Sequence, residues 1–397
     1  MSRKRSVLDA DVTGKRVLVR VDFNVPVRDG AVTDDTRIRA ALPTIELLVE
    51  RGARVILMSH LGRPRGEGFE AEFSMAPVFE RLRQLLDAPM TLAGAVTGPE
   101  VQQAADALAP GEILLLENLR FDAREKKNDP AFAAELAALA DLYVDDAFGV
   151  AHRAHASVVG VPALLPACAG LLLAREVDTI TGMLEEPQRP FVAVLGGSKV
   201  SDKIGVIDHL IDVVDTLLIG GGMCFTFMRA QGKAIGTSLV ESDWVERAGE
   251  MLEKARAKGC DLMLPVDYVT ADRFAADADA RVVSADAMPE DRMGLDIGPE
   301  SVRAYAERIA GARTVFWNGP MGVFEMPAFE AGTRGVGEAI AANDACVSIV
   351  GGGDSVAAVK QFGLEDGVSF VSTGGGASMK LVEGAALPGV EAIPDVR

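Results

Sequence analysis

Basic and amide side chains gather just after short apolar runs in the first half of this chain. Asp22-Phe23-Asn24 follows one run, His60-Leu61-Gly62-Arg63 a second, Arg120 a third and His152-Arg153-Ala154-His155 a fourth, with Arg37 in the connection before the first expected helix. If the runs are strands of an open α/β sheet, these residues share the rim where such sheets bind ligands. Four arginines, with up to three histidines, would form a local positive well for a small polyanion such as one carrying a phosphate and a carboxylate. Asp22 and Asn24 add an acceptor and an amide that could orient a hydroxyl. Taken singly, each arginine reads as a solvated loop residue or surface ion pair, and each histidine as a structural loop group. Their shared position is what argues otherwise.

The second half carries a different constellation. Gly196-Gly197-Ser198-Lys199 follows a strand-like run and Ser201-Asp202-Lys203 opens a helix, placing two lysines and several backbone N–H groups at one helix start, a phosphate-binding arrangement. Glycine triplets recur at Gly220 to Gly222, Gly351 to Gly353 and Gly374 to Gly376, where missing side chains let backbone approach a ligand. Asp354 and Ser355 follow the second triplet, a carboxylate where a nucleotide-bound magnesium could sit. One triplet alone is a tight strand-to-helix turn. Neither G-x-x-x-x-G-K-[ST] nor a post-strand G-x-G-x-x-G is present, which disfavours P-loop and dinucleotide folds.

The elements that must position these groups alternate, strand then helix. Val17–Val21, Arg54–Ser59, Ile113–Leu116 and Leu142–Val144 read as buried parallel strands in the first half. Phe191–Leu195, Leu217–Ile219, Leu262–Leu264, Thr314–Trp317, Cys346–Val350 and Val368–Val371 do so in the second. Pro43 suits the first turn of a helix striped by Ile45, Leu48 and Val49. Leu173, Val177, Ile180 and Leu184 mark a helix between the halves, stopped by Pro187 and Pro190. The fold expected is α/β: two doubly wound, Rossmann-like parallel-sheet domains joined by a bridging helix and hinge. The expected boundaries are 1–170, an interdomain helix 171–186, a second domain 187–384, and a segment 385–397 packing back on the first domain.

With 397 residues, 49% hydrophobic and 25% charged, two cores are the natural expectation. A net charge of -18 opposes binding to nucleic acid or anionic membrane. Four separated cysteines suit reduced thiols in the cytoplasm. The N-terminus lacks a secretory apolar region, and Val158 to Ala174 is too short and too rich in glycine and proline to span a bilayer, which suggests a buried interdomain connection.

Segments along nearly the whole chain resemble those of phosphoglycerate kinases: Arg20-Val-Asp-Phe-Asn-Val-Pro26, Ser59-His-Leu-Gly-Arg-Pro64, Leu116-Glu-Asn-Leu-Arg-Phe121, Ala151-His-Arg-Ala-His155, Leu195-Gly-Gly-Ser-Lys-Val200, Trp317-Asn-Gly-Pro-Met-Gly-Val-Phe-Glu325 and Ser372-Thr-Gly-Gly-Gly-Ala377. The resemblance implies reversible phosphoryl transfer between 1,3-bisphosphoglycerate and ADP, giving 3-phosphoglycerate and ATP. It implies that Asp22, Phe23, Asn24, Arg37, His60, Leu61, Gly62, Arg63, Arg120 and Arg153 hold the three-carbon acid. Gly197, Lys203, Gly221, Gly294, Asn318, Glu325, Gly352, Gly353, Asp354 and Ser355 would hold ADP or ATP, with Mg2+ on Asp354 and the phosphates. Arg37, Lys199, Lys203 and Gly375 would surround the moving phosphoryl group, and closure of a monomer about its hinge would exclude water. Departures from the commonest pattern include Asp145 for asparagine, Val150, Ser355, Phe370, Lys380 and Ala385. Two rival readings are a nicotinamide dehydrogenase, disfavoured by the missing glycine fingerprint, and a noncatalytic protein that binds nucleotide or phosphate.

Overall fold

The structure is a computed structural model that describes residues 4–396; residues 1–3 and 397, within the first and last expected segments, lie outside the described residues. The chain divides into two compact units. One holds the described residues up to Thr179 together with those from Ala386 onward, and the other is Ile180–Ala385.

The first unit is built on six parallel strands: β1 (Arg16–Arg20), β2 (Arg54–Met58), β3 (Met90–Leu92), β4 (Ile113–Leu115), β5 (Leu142–Asp145) and β6 (Ala167–Ala169), in the order β3-β4-β2-β1-β5-β6. Both faces are covered. Val17 and Val19 of β1 pack with Val55 and Leu57 of β2 toward α1 (Thr36–Glu50) and α2 (Ala76–Leu85). Leu18 and Ile56, one residue out of phase, pack with Phe132 and Leu136 and with Val101, on the side of α3 (Pro99–Ala107) and α4 (Pro130–Ala137). Burial on both faces is why these strands read as continuous apolar runs rather than as an alternation. Strand order reverses between β1 and β5, the switch point at which a crevice opens beyond the strand ends.

Two expectations are corrected here. Helix α1 begins at Thr36, seven residues before Pro43, so Arg37 stands on its first turn and Pro43 lies inside the helix. Asp34 accepts the Thr36 N–H at 2.8 Å and so fixes the earlier start, and the buried stripe of Ile38, Ala41, Ile45 and Leu48 carries the helix past the proline. The stretch from Val158 to Ala174 is likewise no plain connection, since it supplies edge strand β6, paired with β5, and then enters α5 (Leu171–Glu185). The chain passes from the first unit to the second within α5. Its last segment returns to the first unit, where Gly389 N–H donates to Ala151 O at 2.8 Å and Arg5 N–H to Pro394 O at 2.8 Å.

The second unit has a six-stranded parallel sheet and a smaller antiparallel one. In chain order the strands are β7 (Phe191–Leu195), β8 (Thr216–Ile219), β9 (Asp261–Met263), β10 (Asp267–Ala271), β11 (Arg281–Ser284), β12 (Met293–Ile297), β13 (Thr314–Asn318), β14 (Val347–Val350) and β15 (Phe370–Val371). The large sheet runs β9-β8-β7-β13-β14-β15 and the small one β11-β10-β12. The helices are α6 (Ile204–Ile211), α7 (Cys224–Ala230), α8 (Val245–Lys258), α9 (Pro299–Ala310), α10 (Ala331–Ala341), α11 (Gly353–Gln361) and α12 (Gly376–Val382). Order reverses between β7 and β13, and Val192, Val194, Val315 and Trp317 of those strands pack against Val336, Ile340, Ala358 and Val359 of α10 and α11. Among the described residues no helix is long and apolar enough to cross a membrane.

Candidate active site

In the first unit, the residues beyond β1, β2 and β4 are tied into one hydrogen-bonded rim. Arg37 Nη1 donates to Asp22 Oδ2 and to Asn24 O, each at 3.1 Å. Asn24 Oδ1 accepts the Gly62 N–H at 2.8 Å, and Gly62 O accepts Arg120 Nη1 at 2.7 Å. Gly62 has a φ of 61°, and a Cβ there would run into the Phe73 ring, so glycine is what this link in the chain of contacts requires. Arg63 and Arg153 are exposed at its edge. Phe23 and Leu61 contribute backbone only, because both side chains are core residues.

Two of the histidines, His60 and His155, do not add charge to this well. His60 is buried, and desolvation together with Arg20, Arg120, Arg153 and Arg37 drives its pKa well below the usual imidazole value. His155 is pushed down to about 4 by burial and by Arg120, Arg20 and Arg153. The expected contribution of imidazolium is therefore corrected at these two positions: a cation beside several guanidinium groups in a desolvated site is electrostatically unfavourable, so the rings of His60 and His155 stay neutral. The positive field belongs to the arginines. Arg120 itself is lowered to about 10 by burial, then by Arg153 and Arg20, and its Nε has no hydrogen-bond partner. Arg20, a residue the rim reading left out, fills the floor with its guanidinium fully buried.

In the second unit three glycine loops meet backbone to backbone at the switch point. Gly196 N–H donates to Asn318 O and Gly197 N–H to Pro320 O, each at 3.0 Å, while Gly221 N–H donates to Met321 O at 2.9 Å. A Cβ on Gly196 or Gly319 would strike the facing carbonyl, which is the physical demand for glycine in these turns. Beside them lies a cavity of about 560 Å³ whose walls include Gly197, Gly221, Gly294, Glu325 and Asp354. A cavity of this size, walled by glycine backbone and apolar side chains with two carboxylates, has the form of a small-molecule site.

A family model described as Phosphoglycerate kinase matches residues 7–385. The chain belongs to the phosphoglycerate kinase family. It is 58% identical over 392 residues to phosphoglycerate kinase of Moorella thermoacetica and 57% identical over 392 residues to that of Rubrobacter xylanophilus, covering 99% of this chain and 99% and 98% of those proteins. The solved phosphoglycerate kinase of Coxiella burnetii superposes with a TM-score of 0.90 at 44% identity over 98% of both chains. The chain is thus a phosphotransferase acting on a carboxyl group, moving a phosphoryl group between 1,3-bisphosphoglycerate and ADP. The family uses ATP and ADP as substrates.

Against that family frame, the remaining predicted residues fall into two groups. Lys203, Asn318 and Gly352 are not among the residues that line the cavity: Lys203 Nζ reaches Asn318 O at 3.4 Å, and Asn318 Nδ2 donates to Gly351 O at 2.6 Å. Burial lowers Lys203 to about 8, with Asp354 and Asp202 opposing. Gly353 and Asp354 form the first turn of α11, and Ser355 Oγ, buried, accepts the Gly319 N–H at 2.5 Å, leaving its own proton to donate. Lys199 is exposed, and Gly375, at φ 51°, precedes the first residue of α12 and does not line the cavity. Residues that sequence reasoning missed include Leu239, Phe274 and Val323 on the cavity walls. Phe274 and Leu239 are 62% and 50% exposed there. Apolar loop residues have no spacing signature, so nothing in the sequence marked them.

Proposed function

We propose that the arginine rim of the first unit binds 3-phosphoglycerate or 1,3-bisphosphoglycerate and that the glycine-walled cavity of the second binds ADP or ATP. The observation that carries the first assignment is the unbroken chain Arg37–Asp22–Asn24–Gly62–Arg120, whose every link is a hydrogen bond within 3.2 Å. It presents guanidinium groups, the groups best matched to phosphate and carboxylate oxygens, beside an acid and an amide for a hydroxyl. In the second site Glu325 would accept from ribose hydroxyls, and the backbone N–H groups and lysines would take the phosphates.

Among the described residues no cluster of three or more His, Cys, Asp or Glu could hold a metal by itself. That fits a Mg2+ held by one carboxylate, Asp354, and otherwise by nucleotide phosphates and water. When bound, the ion neutralises charge on the phosphoryl oxygens. The protein's own part is positioning and charge: Arg37 from the first unit, and Lys199, Lys203 and the N–H groups at Gly375 from the second, stabilise the group in flight. With no covalent intermediate, the two ligands must meet for transfer, and α5 is the connection about which that approach is made. One chain carries both sites, so a monomer suffices.

A coupled assay with 3-phosphoglycerate and Mg-ATP tests this. Turnover that depends on both substrates is expected. Nucleotide binding without transfer would instead support the noncatalytic alternative, and loss of 3-phosphoglycerate affinity in Arg120→Ala with unchanged ATP affinity would separate the two sites.

A further inference from the structure

Beneath the arginine rim runs a chain of buried polar side chains with no ligand role in the reading above. Glu125, 0% exposed, accepts from Ser157 at both oxygens: Oε1 from the hydroxyl at 2.6 Å and Oε2 from the N–H at 2.9 Å. The same carboxylate lies 3.7 Å from His155 Nδ1. Burial raises the pKa of this carboxyl group, while Arg20 and the two donors of Ser157 oppose that rise and favour the anion, and a buried anion requires a counter-charge. Arg20, 1% exposed, supplies it through one intervening hydroxyl. Ser157 Oγ, its proton directed at Glu125, accepts Arg20 Nε at 3.0 Å.

Arg20 spends its remaining groups on the Val21 carbonyl and on His60 Nδ1, the latter at 3.2 Å. A guanidinium has donors and no acceptor, so this contact is a hydrogen bond in one sense only: Arg20 donates and Nδ1 accepts. A ring whose Nδ1 is an acceptor carries its proton on Nε2. His60, 3% exposed and ringed by arginines, is held neutral, and its Asp22 neighbour is 4.0 Å away, too far to compete for Nδ1. The opposite tautomer would offer a bare lone pair to an anionic ligand where this one offers an N–H.

We propose that the relay Glu125–Ser157–Arg20 locks His60 in the neutral Nε2–H tautomer, and that these three are positioning residues that make His60 a hydrogen-bond donor to the bound acid. The tautomer follows from this unit alone, whereas the consequence for ligand binding rests on the reading of the rim as the 3-phosphoglycerate site. Arg20, Glu125 and Ser157 come from segments up to 137 residues apart in sequence, so the relay exists only in the folded unit.

The test is long-range 1H–15N correlation of the histidine rings in uniformly labelled protein, with His60 assigned among the four histidines by loss of its signals in His60→Gln. Wild type is expected to show His60 neutral and protonated at Nε2, unchanged from pH 5 to 8. Ser157→Ala, which removes the bridging oxygen, is expected to move both ring nitrogens toward the averaged positions of an unlocked imidazole. It should also raise KM for 3-phosphoglycerate roughly ten- to hundredfold, the loss of a hydrogen bond to a charged acceptor, with KM for ATP and kcat changed less than about threefold. A wild-type ring protonated at Nδ1 overturns the proposal, whatever the variants do. An unshifted His60 spectrum in folded Ser157→Ala overturns the relay, and Glu125→Gln gives the same reading should Ser157→Ala not fold. A shifted spectrum with unchanged KM removes the positioning role. Absence of turnover in wild type counts against the function proposed above and leaves the tautomer measurement decisive on its own terms.

Discussion

Replacing Lys203 with methionine should make the second unit more stable and the enzyme nearly inactive. Lys203 is lowered from an ordinary 10.5 to about 8, chiefly by burial, with Asp354 and Asp202 opposing, so keeping it charged at neutral pH costs at most about 3 kcal/mol. Its hydrogen bond to Asn318 O is long at 3.4 Å and returns little of that. Methionine has a similar volume and no charge to desolvate. Between about pH 8 and 10.5 the native lysine is neutral while the unfolded chain's is protonated, so wild-type stability rises with pH through that window and the advantage of methionine shrinks. The gain should be about 3 kcal/mol at pH 7 and about 1 kcal/mol at pH 9.5. Urea unfolding of the nucleotide-free protein followed by tryptophan fluorescence measures this selectively, because Trp244 and Trp317, the only two tryptophans, both lie in the second unit. The same substitution should lower kcat by roughly a hundredfold or more, as loss of a charge stabiliser does. A pH-independent gain, a net loss of stability, or kcat within a few-fold of wild type would each refute the claim that a destabilising cation is kept for catalysis.

Other expectations follow from the first unit. Arg37→Ala should lower kcat by more than about tenfold; turnover within a few-fold of wild type, with only 3-phosphoglycerate binding weakened, would place Arg37 outside the transition state. Gly62→Ala combines a left-handed φ with a methyl driven into Phe73, and should cost about 2–4 kcal/mol and raise KM for 3-phosphoglycerate, seen by urea unfolding and steady-state kinetics. His155, neutral in the fold with its pKa down to about 4, gives stability that is full above about pH 6.5 and lost as pH falls toward 4, because the unfolded chain takes up the proton first. Circular dichroism melts of wild type and His155→Gln across that range should converge at low pH if this is right, and run parallel if it is wrong.

The central strands were legible because each is buried on both faces and its apolar run has no alternative reading. Phe191–Leu195 was read with its observed ends, and β1, β2, β4 and β5 to within a residue. Edge strands β3 and β6 were not, since three residues such as Ala167-Cys168-Ala169 carry neither length nor β-branched side chains. The antiparallel sheet β10–β12 was missed for a related reason. Its strand Arg281–Ser284 is nearly all exposed, so no alternation is written into it, although it frames the wall that carries Gly294.

The same physics divides the site. Residues just beyond strand ends announced themselves by charge and position, and the structure ties Asp22, Asn24, Arg37, Gly62 and Arg120 into one hydrogen-bonded chain. What stayed hidden was the layer that sets their charge states. Arg20 closes β1, a strand whose other residues from Val17 on are all buried, and a guanidinium at such a place must have a buried partner. That much was readable, but the partner was not, because Glu125 and Ser157 meet it only through the fold. The omission changes the chemistry inferred. Counting histidines by sequence gives a well charged by up to seven cations, whereas burial beside guanidinium groups removes the imidazolium charge from His60 and His155 and turns those two rings into neutral hydrogen-bonding groups. In a chain of net charge -18, the local field that captures a polyanion then rests chiefly on guanidinium groups, which hold their charge across the physiological range.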